Sequence, residues 1–105
     1  MSFNGNEGQF VTLAEASQWT ANFRETSCFQ GIHAQFYGKS KIQDILRQSG
    51  CVGIRVYRAL DDQGVPIVIL VGTDANENDL YNGLILEKGT SCPPMCGNDG
   101  NPLQG

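Results

Sequence analysis

Apolar positions change their spacing several times along this chain, and each change marks an element. Leu13, Ala16, Trp19, Thr20 and Phe23 recur at the period of one helix face. Thr12 and Glu15 have capping-box spacing, so the Thr12 hydroxyl and the Glu15 carboxylate each satisfy a free backbone N–H. The pattern predicts a helix near residues 13–26, with Trp19 anchoring its apolar face in the core. Ile32 to Tyr37 alternates loosely and predicts a short strand. Ser40 to Gln43 repeats the capping pattern and opens a shorter helix whose Ile42, Ile45 and Leu46 turn inward. Gly50 is placed to end it in left-handed backbone conformation.

Beyond Gly50 the period falls to two. Cys51 to Leu60 is the clearest strand, with Val52, Ile54 and Val56 on one side and Arg55, Tyr57 and Ala59 on the other. Asp61-Asp62-Gln63-Gly64 is turn chemistry. Val65 to Gly72 is nearly all apolar, as expected for a central strand covered on both faces, and Pro66 near its start is tolerable. The two strands predict an antiparallel hairpin. A polar loop over residues 74–82 follows, then Leu84-Ile85-Leu86 as one more strand, and after Gly89 the regular pattern stops. The order predicts an α+β fold, a small antiparallel or mixed sheet with two helices packed on one face. The expected division is a single domain over 1–105: a flexible N-terminal arm over 1–9, a globular core over 10–89, and a Cys/Pro/Gly-rich tail over 90–105.

Composition narrows the function classes. Charged residues make up 17% of the chain, below the usual quarter, and 13 glycines help fill the gap. A polar, weakly charged surface lets copies pack with little repulsion. The net charge of −4 argues against binding a phosphate backbone, which needs clustered Lys and Arg. Lys39, Lys41 and Arg47 read as a solvated helix face. The first ten residues lack a basic start and an apolar run, and the longest apolar run, Ile67 to Val71, is strand-sized. The expected location is therefore the cytoplasm, with export lacking a cleaved signal as the exception, and no membrane span is expected.

The chain closes on SCPPMCGNDGNPLQG, and its cysteines invite three readings. Cys92 and Cys96 have ligand-pair spacing for zinc, but Cys28, Cys51 and His33 supply no second tight pair. A Cys92–Cys96 disulfide is favoured if the protein meets an oxidising environment. Otherwise the two stay thiols in an ordered tail that Pro93 and Pro94 keep extended. Asp74, Asn76 and Asn78 match the first ligand positions of a calcium loop, yet Asp79 stands where that loop needs Gly and Ile85 where it needs Glu. Gly38-Lys39-Ser40 sits between strand and helix like the end of a phosphate loop, but His33 occupies the position of its first glycine. Cys28 and His33 have the residue types of a thiol–imidazole pair without a third group to orient them.

Several blocks together resemble a group of small uncharacterised bacterial proteins of the Bacteroidetes type. These are Trp19 to Arg24, Phe36-Tyr37-Gly38, Gly50 to Arg55, Val71 to Asp74, Asn78-Asp79-Leu80 and Cys92-Pro93-Pro94-Met95-Cys96, within a likeness over residues 10–103. The resemblance implies a standalone bacterial domain in which the Cys-Pro-Pro-Met-Cys segment belongs to the design. The group has no known function, so it carries over no residue roles.

The expectation is a non-enzymatic structural or protein-interaction domain. It would self-associate as a homo-oligomer or join other protein subunits, with no cofactor and no nucleic acid. Arg55, Tyr57, Pro93, Pro94 and Met95 are its candidate interaction residues. The alternative is a small-ligand or metal-binding module using the 74–79 loop and the cysteine tail, with Asp74, Asn76, Asn78, Cys92 and Cys96 as ligands.

Overall fold

The structure, a computed structural model, describes residues 2–26 and 31–105. The chain runs α1 (Leu13–Arg24), β1 (Ala34–Phe36), α2 (Lys39–Leu46), β2 (Cys51–Leu60), β3 (Pro66–Asp74), β4 (Ile85–Leu86) and β5 (Thr90–Cys92). It divides into two compact units, Met1–Gly8 with Tyr37–Gly89, and Gln9–Phe36 with Thr90–Gly105. The class is α+β, and every strand pair is antiparallel. The single sheet expected from the pattern is instead two, β2-β3-β4 in the first unit and β1-β5 in the second. The helices are divided likewise, α2 in the first unit and α1 in the second.

In the first unit the hairpin forms where its turn chemistry places it. Asp61 Oδ1 accepts from the N–H groups of Gln63 (2.8 Å) and Val65 (2.9 Å), and Gly64 takes the positive φ of 80° that the turn requires. Leu60 then pairs with Pro66, and the register runs unbroken to Gly53 opposite Thr73, where a bulge interrupts it before Cys51. β3 is the central strand, and four consecutive residues, Leu70 to Thr73, are buried. Side chains alternate along a strand, so both faces of β3 are covered there. Ile45 of α2, only 1% exposed, lies on the Gly72 side, where a Cβ on Gly72 would stand 3.3 Å from Ile45 Cγ2. Gln48 ties the end of α2 to the approach to β4: its Nε2 donates to the Ile45 carbonyl and its Oε1 accepts from the Leu84 N–H, both at 2.9 Å.

Two expectations for α2 change. Its N-cap is Gly38 without a side-chain cap bond, because the helix begins one residue before Ser40, with the Ile42 N–H donating to the Gly38 carbonyl (3.2 Å). Leu46 is exposed, while Ile42 is half-buried. Residues 2–8, read from the sequence as an arm, are hydrogen-bonded at their start. Ser2 and Phe3 both donate to the Ala75 carbonyl, at 3.0 and 3.2 Å.

In the second unit, α1 carries the capping box read from the sequence. The Glu15 N–H donates to Thr12 Oγ1 (3.1 Å) and the Thr12 N–H to Glu15 Oε1 (3.2 Å). The helix holds no buried residue, and Trp19 is 54% exposed. Trp19 is therefore not a core anchor. Helical spacing states which face is apolar and leaves open what covers it. Strand β5 is a second departure, since regular structure was expected to stop at Gly89. Thr90, Ser91 and Cys92 pair with Phe36, Gln35 and Ala34, and the His33 N–H donates to the Cys92 carbonyl at 2.7 Å. Arg24 Nη1 donates to the Leu103 carbonyl (2.9 Å), fixing the C-terminal segment to α1. Among the described residues, no helix is long and apolar enough to cross a membrane.

Candidate functional site

A polar cluster is built on the face that Arg55, Tyr57 and Thr73 share. Arg55 pairs with Val71 and Tyr57 with Ile69, so these odd positions and Thr73 point the same way. Asp79 reaches them because the chain turns back after β3. Asp74 Oδ1 accepts from the N–H groups of Asn76 and Asn78, each at 2.9 Å. Glu77 takes a positive φ of 70°, and Asp79 bridges to Thr73. The Asp79 carboxylate accepts from Arg55 Nη1 (2.8 Å), from the Tyr57 hydroxyl and from Thr73 Oγ1 (3.1 Å). Arg55 Nη1 also donates to the Glu77 carbonyl (3.3 Å), and the Phe3 ring centre lies 5.5 Å from Arg55 Cζ, within cation–π range.

The electrostatics follow from these donors. The Tyr57 hydroxyl, then Thr73 and Arg55, hold the Asp79 carboxyl below its ordinary value, against the opposing effect of burial. Burial disfavours charge on the Arg55 guanidinium, but Tyr57 and Asp79 outweigh it and raise the group above its ordinary value. A carboxylate committed to three donors and held low is a poor proton acceptor near neutrality, where a general base needs a raised value. The cluster acts as a clip between β2 and the turn after β3. Beside it, Phe3, Gly5, Glu7 and the run Val52 to Val56 line a cavity of ≈ 390 Å³. The Glu7 carboxylate is held low by backbone N–H groups, that of Asn4 first, with Asn4 and Gly5 each donating at 3.0 Å.

The ten residues singled out from the sequence fall in both units. Arg55, Tyr57, Asp74, Asn76 and Asn78 lie in the first, and Cys92, Pro93, Pro94, Met95 and Cys96 in the second. Arg55 and Tyr57 share the Asp79 clip. Asp74 and Asn78 serve the turn instead, with the Asp74 N–H donating to the Asn78 carbonyl at 2.9 Å. The zinc reading of Cys92 and Cys96 is corrected. Their sulfurs are bonded to each other as a disulfide, so neither is a free thiolate for a metal. The extended tail is corrected too. The Met95 N–H donates back to the Ser91 carbonyl (3.1 Å), and the disulfide holds Cys92 and Cys96 Cα atoms 4.8 Å apart. An extended stretch of that length would span about 13 Å. Met95 and both prolines are exposed. Among the described residues no group of three or more His, Cys, Asp or Glu side chains is placed to hold a metal ion, and Cys28 lies outside those residues.

Thr73 and Phe3 are the site residues that pattern reading missed, while Asp79 was read only as the end of the 74–79 loop. The shared parity of Arg55 and Tyr57 was the one signal that a partner for both lay on that face. No family model matches the chain, and neither a curated protein nor a solved structure does.

Proposed function

We propose that this chain is a non-enzymatic structural domain that self-associates, alone or as part of a larger bacterial assembly. The observation that carries the reading is the uncovered apolar face of α1. Among the described residues, Leu13 (58%) and Trp19 (54%) are exposed on a twelve-residue helix without one buried residue, and Phe10 and Val11 just before it are exposed as well. Isolated helices of this length are marginal in water, and most helical stability comes from packing an apolar face. Covering one such side chain fully contributes about 1.5–3 kcal/mol. A clustered apolar face of this kind marks an interaction surface, whereas scattered exposed residues do not.

The Asp79 clip supports the same reading, because its carboxylate is committed to holding structure. Sedimentation velocity over a wide range of concentration tests the proposal, with Leu13→Gln/Trp19→Gln alongside the unaltered chain. The unaltered chain should associate and the variant should do so more weakly. A sedimentation coefficient independent of concentration and equal in both would refute it.

A further inference from the structure

β2 is an edge strand of ten residues, paired with β3 alone among the described strands. Which of its backbone groups face outward follows from the hairpin. The Asp61 N–H donates to the Val65 carbonyl (2.9 Å), so hydrogen-bonded pairs alternate from that point. Ala59, Tyr57 and Arg55 bond to β3, and Leu60, Arg58, Val56 and Ile54 point away from it. The opposite edge of β3 confirms the parity. Val68 and Gly72, the partners of Arg58 and Ile54, turn their carbonyls outward to the Tyr37 hydroxyl (3.3 Å) and the Leu80 N–H (2.8 Å). Leu60 and Val56, 70% and 56% exposed, stand on this edge; Gly5 approaches its start at the Val52 carbonyl, and Ile54 and Val56 line the ≈ 390 Å³ cavity with Phe3, Gly5 and Glu7. Edges of this length are templates for another strand.

We infer that a second copy of this chain pairs its own β2 antiparallel to this edge, about a two-fold axis at Tyr57. The inference rests on the self-association reading and adds a second surface to the α1 face. An antiparallel edge is its own complement under two-fold symmetry, so the same patch serves both copies. The ladder is regular only between the bulge and the turn, from Gly53 to Leu60, and its outward groups run from Ile54 to Leu60. Centring on that run puts the axis at Tyr57. Ile54 then faces the partner's Leu60, beside the cavity that Ile54 lines. Arg55 faces the partner's Ala59, and Arg58 the partner's Val56, so no arginine meets an arginine.

Other axes are worse. An axis at Arg55 or Arg58 sets like charges opposite each other, which is destabilising. An axis at Val56 leaves Leu60 facing Val52, beyond the bulge. The pairing at Tyr57 makes about eight backbone hydrogen bonds, two in each of its four bonded pairs, within the 10 ± 5 of an ordinary interface.

Arg58→Pro removes one outward N–H and leaves the β3 ladder intact, because Arg58 and Val68 form a non-bonded pair. Leu60→Glu places a charge opposite the partner's Ile54 without touching the backbone. Sedimentation of the full chain is measured across concentration, with far-UV circular dichroism and a denaturation midpoint for each variant. Arg58→Pro should raise the dimer Kd about thirtyfold, the effect of losing two backbone hydrogen bonds, and Leu60→Glu should weaken the dimer with an unchanged midpoint. If Arg58→Pro unfolds, Leu60→Glu decides alone. Association of a folded variant at the level of the unaltered chain overturns the edge pairing and leaves self-association through α1 standing. An unaltered chain that is monomeric at every concentration overturns both.

Discussion

Gly72→Ala isolates the packing of α2 on the hairpin. A Cβ at this position would stand 2.9 Å from Gln48 Nε2, 3.0 Å from Cys51 Sγ and 3.3 Å from Ile45 Cγ2. Three side chains must give at once. Gln48 cannot swing away without losing its bonds to the Ile45 carbonyl and the Leu84 N–H. Cys51 Sγ is held by the Gly53 carbonyl at 3.2 Å, and Ile45 has no room to move at 1% exposure. Overpacking of this kind costs about 1–3 kcal/mol. Gly72 has no positive φ, so alanine fits the backbone and returns roughly 0.4–1 kcal/mol by restricting the unfolded chain. The net expectation is a loss of about 1–2 kcal/mol. Gly53→Ala is the matched control in β2, since a Cβ there meets nothing within 4 Å. It should be neutral or slightly stabilising. Urea denaturation of each variant, followed by circular dichroism, reads the difference. Adding Cys51→Ala should recover part of the Gly72→Ala loss, a coupling a double-mutant cycle measures. Equal midpoints for Gly72→Ala and Gly53→Ala would refute the packing.

Three further outcomes follow from the hydrogen bonds. Asp79 has a folded value below its unfolded one, so its contribution is present above the ordinary carboxylate range and lost as pH falls through the folded value. Asp79→Asn should flatten the acid limb of a stability–pH curve, and an unchanged limb would contradict the clip. Tyr37 is raised by burial and then by Glu87, so its contribution is present below the ordinary phenol value near 10 and lost as pH rises through the folded one. Tyr37→Phe should remove that alkaline loss, read by the same titration of stability. Thr12→Ala removes the α1 cap, worth about 1 kcal/mol, and should lower the helical circular-dichroism signal most in dilute protein, where the α1 face has least cover.

Local chemistry was legible in the sequence where a few adjacent residues determine it. The Thr12–Glu15 box and the Asp61–Gly64 turn appear as read, and the parity of β2 does so beyond the bulge at Val52. What was not legible depends on residues far apart in the chain. Strand β5 exists because Thr90 to Cys92 meets Phe36 to Ala34, and three residues without alternation announce nothing by themselves. The Ser40 cap failed because the helix begins at Lys39, which leaves Ser40 inside its first turn and Gly38 as the N-cap. The Asp79 clip needed the hairpin and the turn after β3 together before one carboxylate could reach two strands. Trp19 shows the remaining gap, since periodicity orients an apolar side chain without supplying the surface that covers it.

The native mass of the unreduced protein, taken by mass spectrometry at several concentrations, tests self-association most directly. The account predicts a multiple of the 11.4 kDa chain, with the population of the multiple rising with concentration. A bare 11.4 kDa species at every concentration would contradict it.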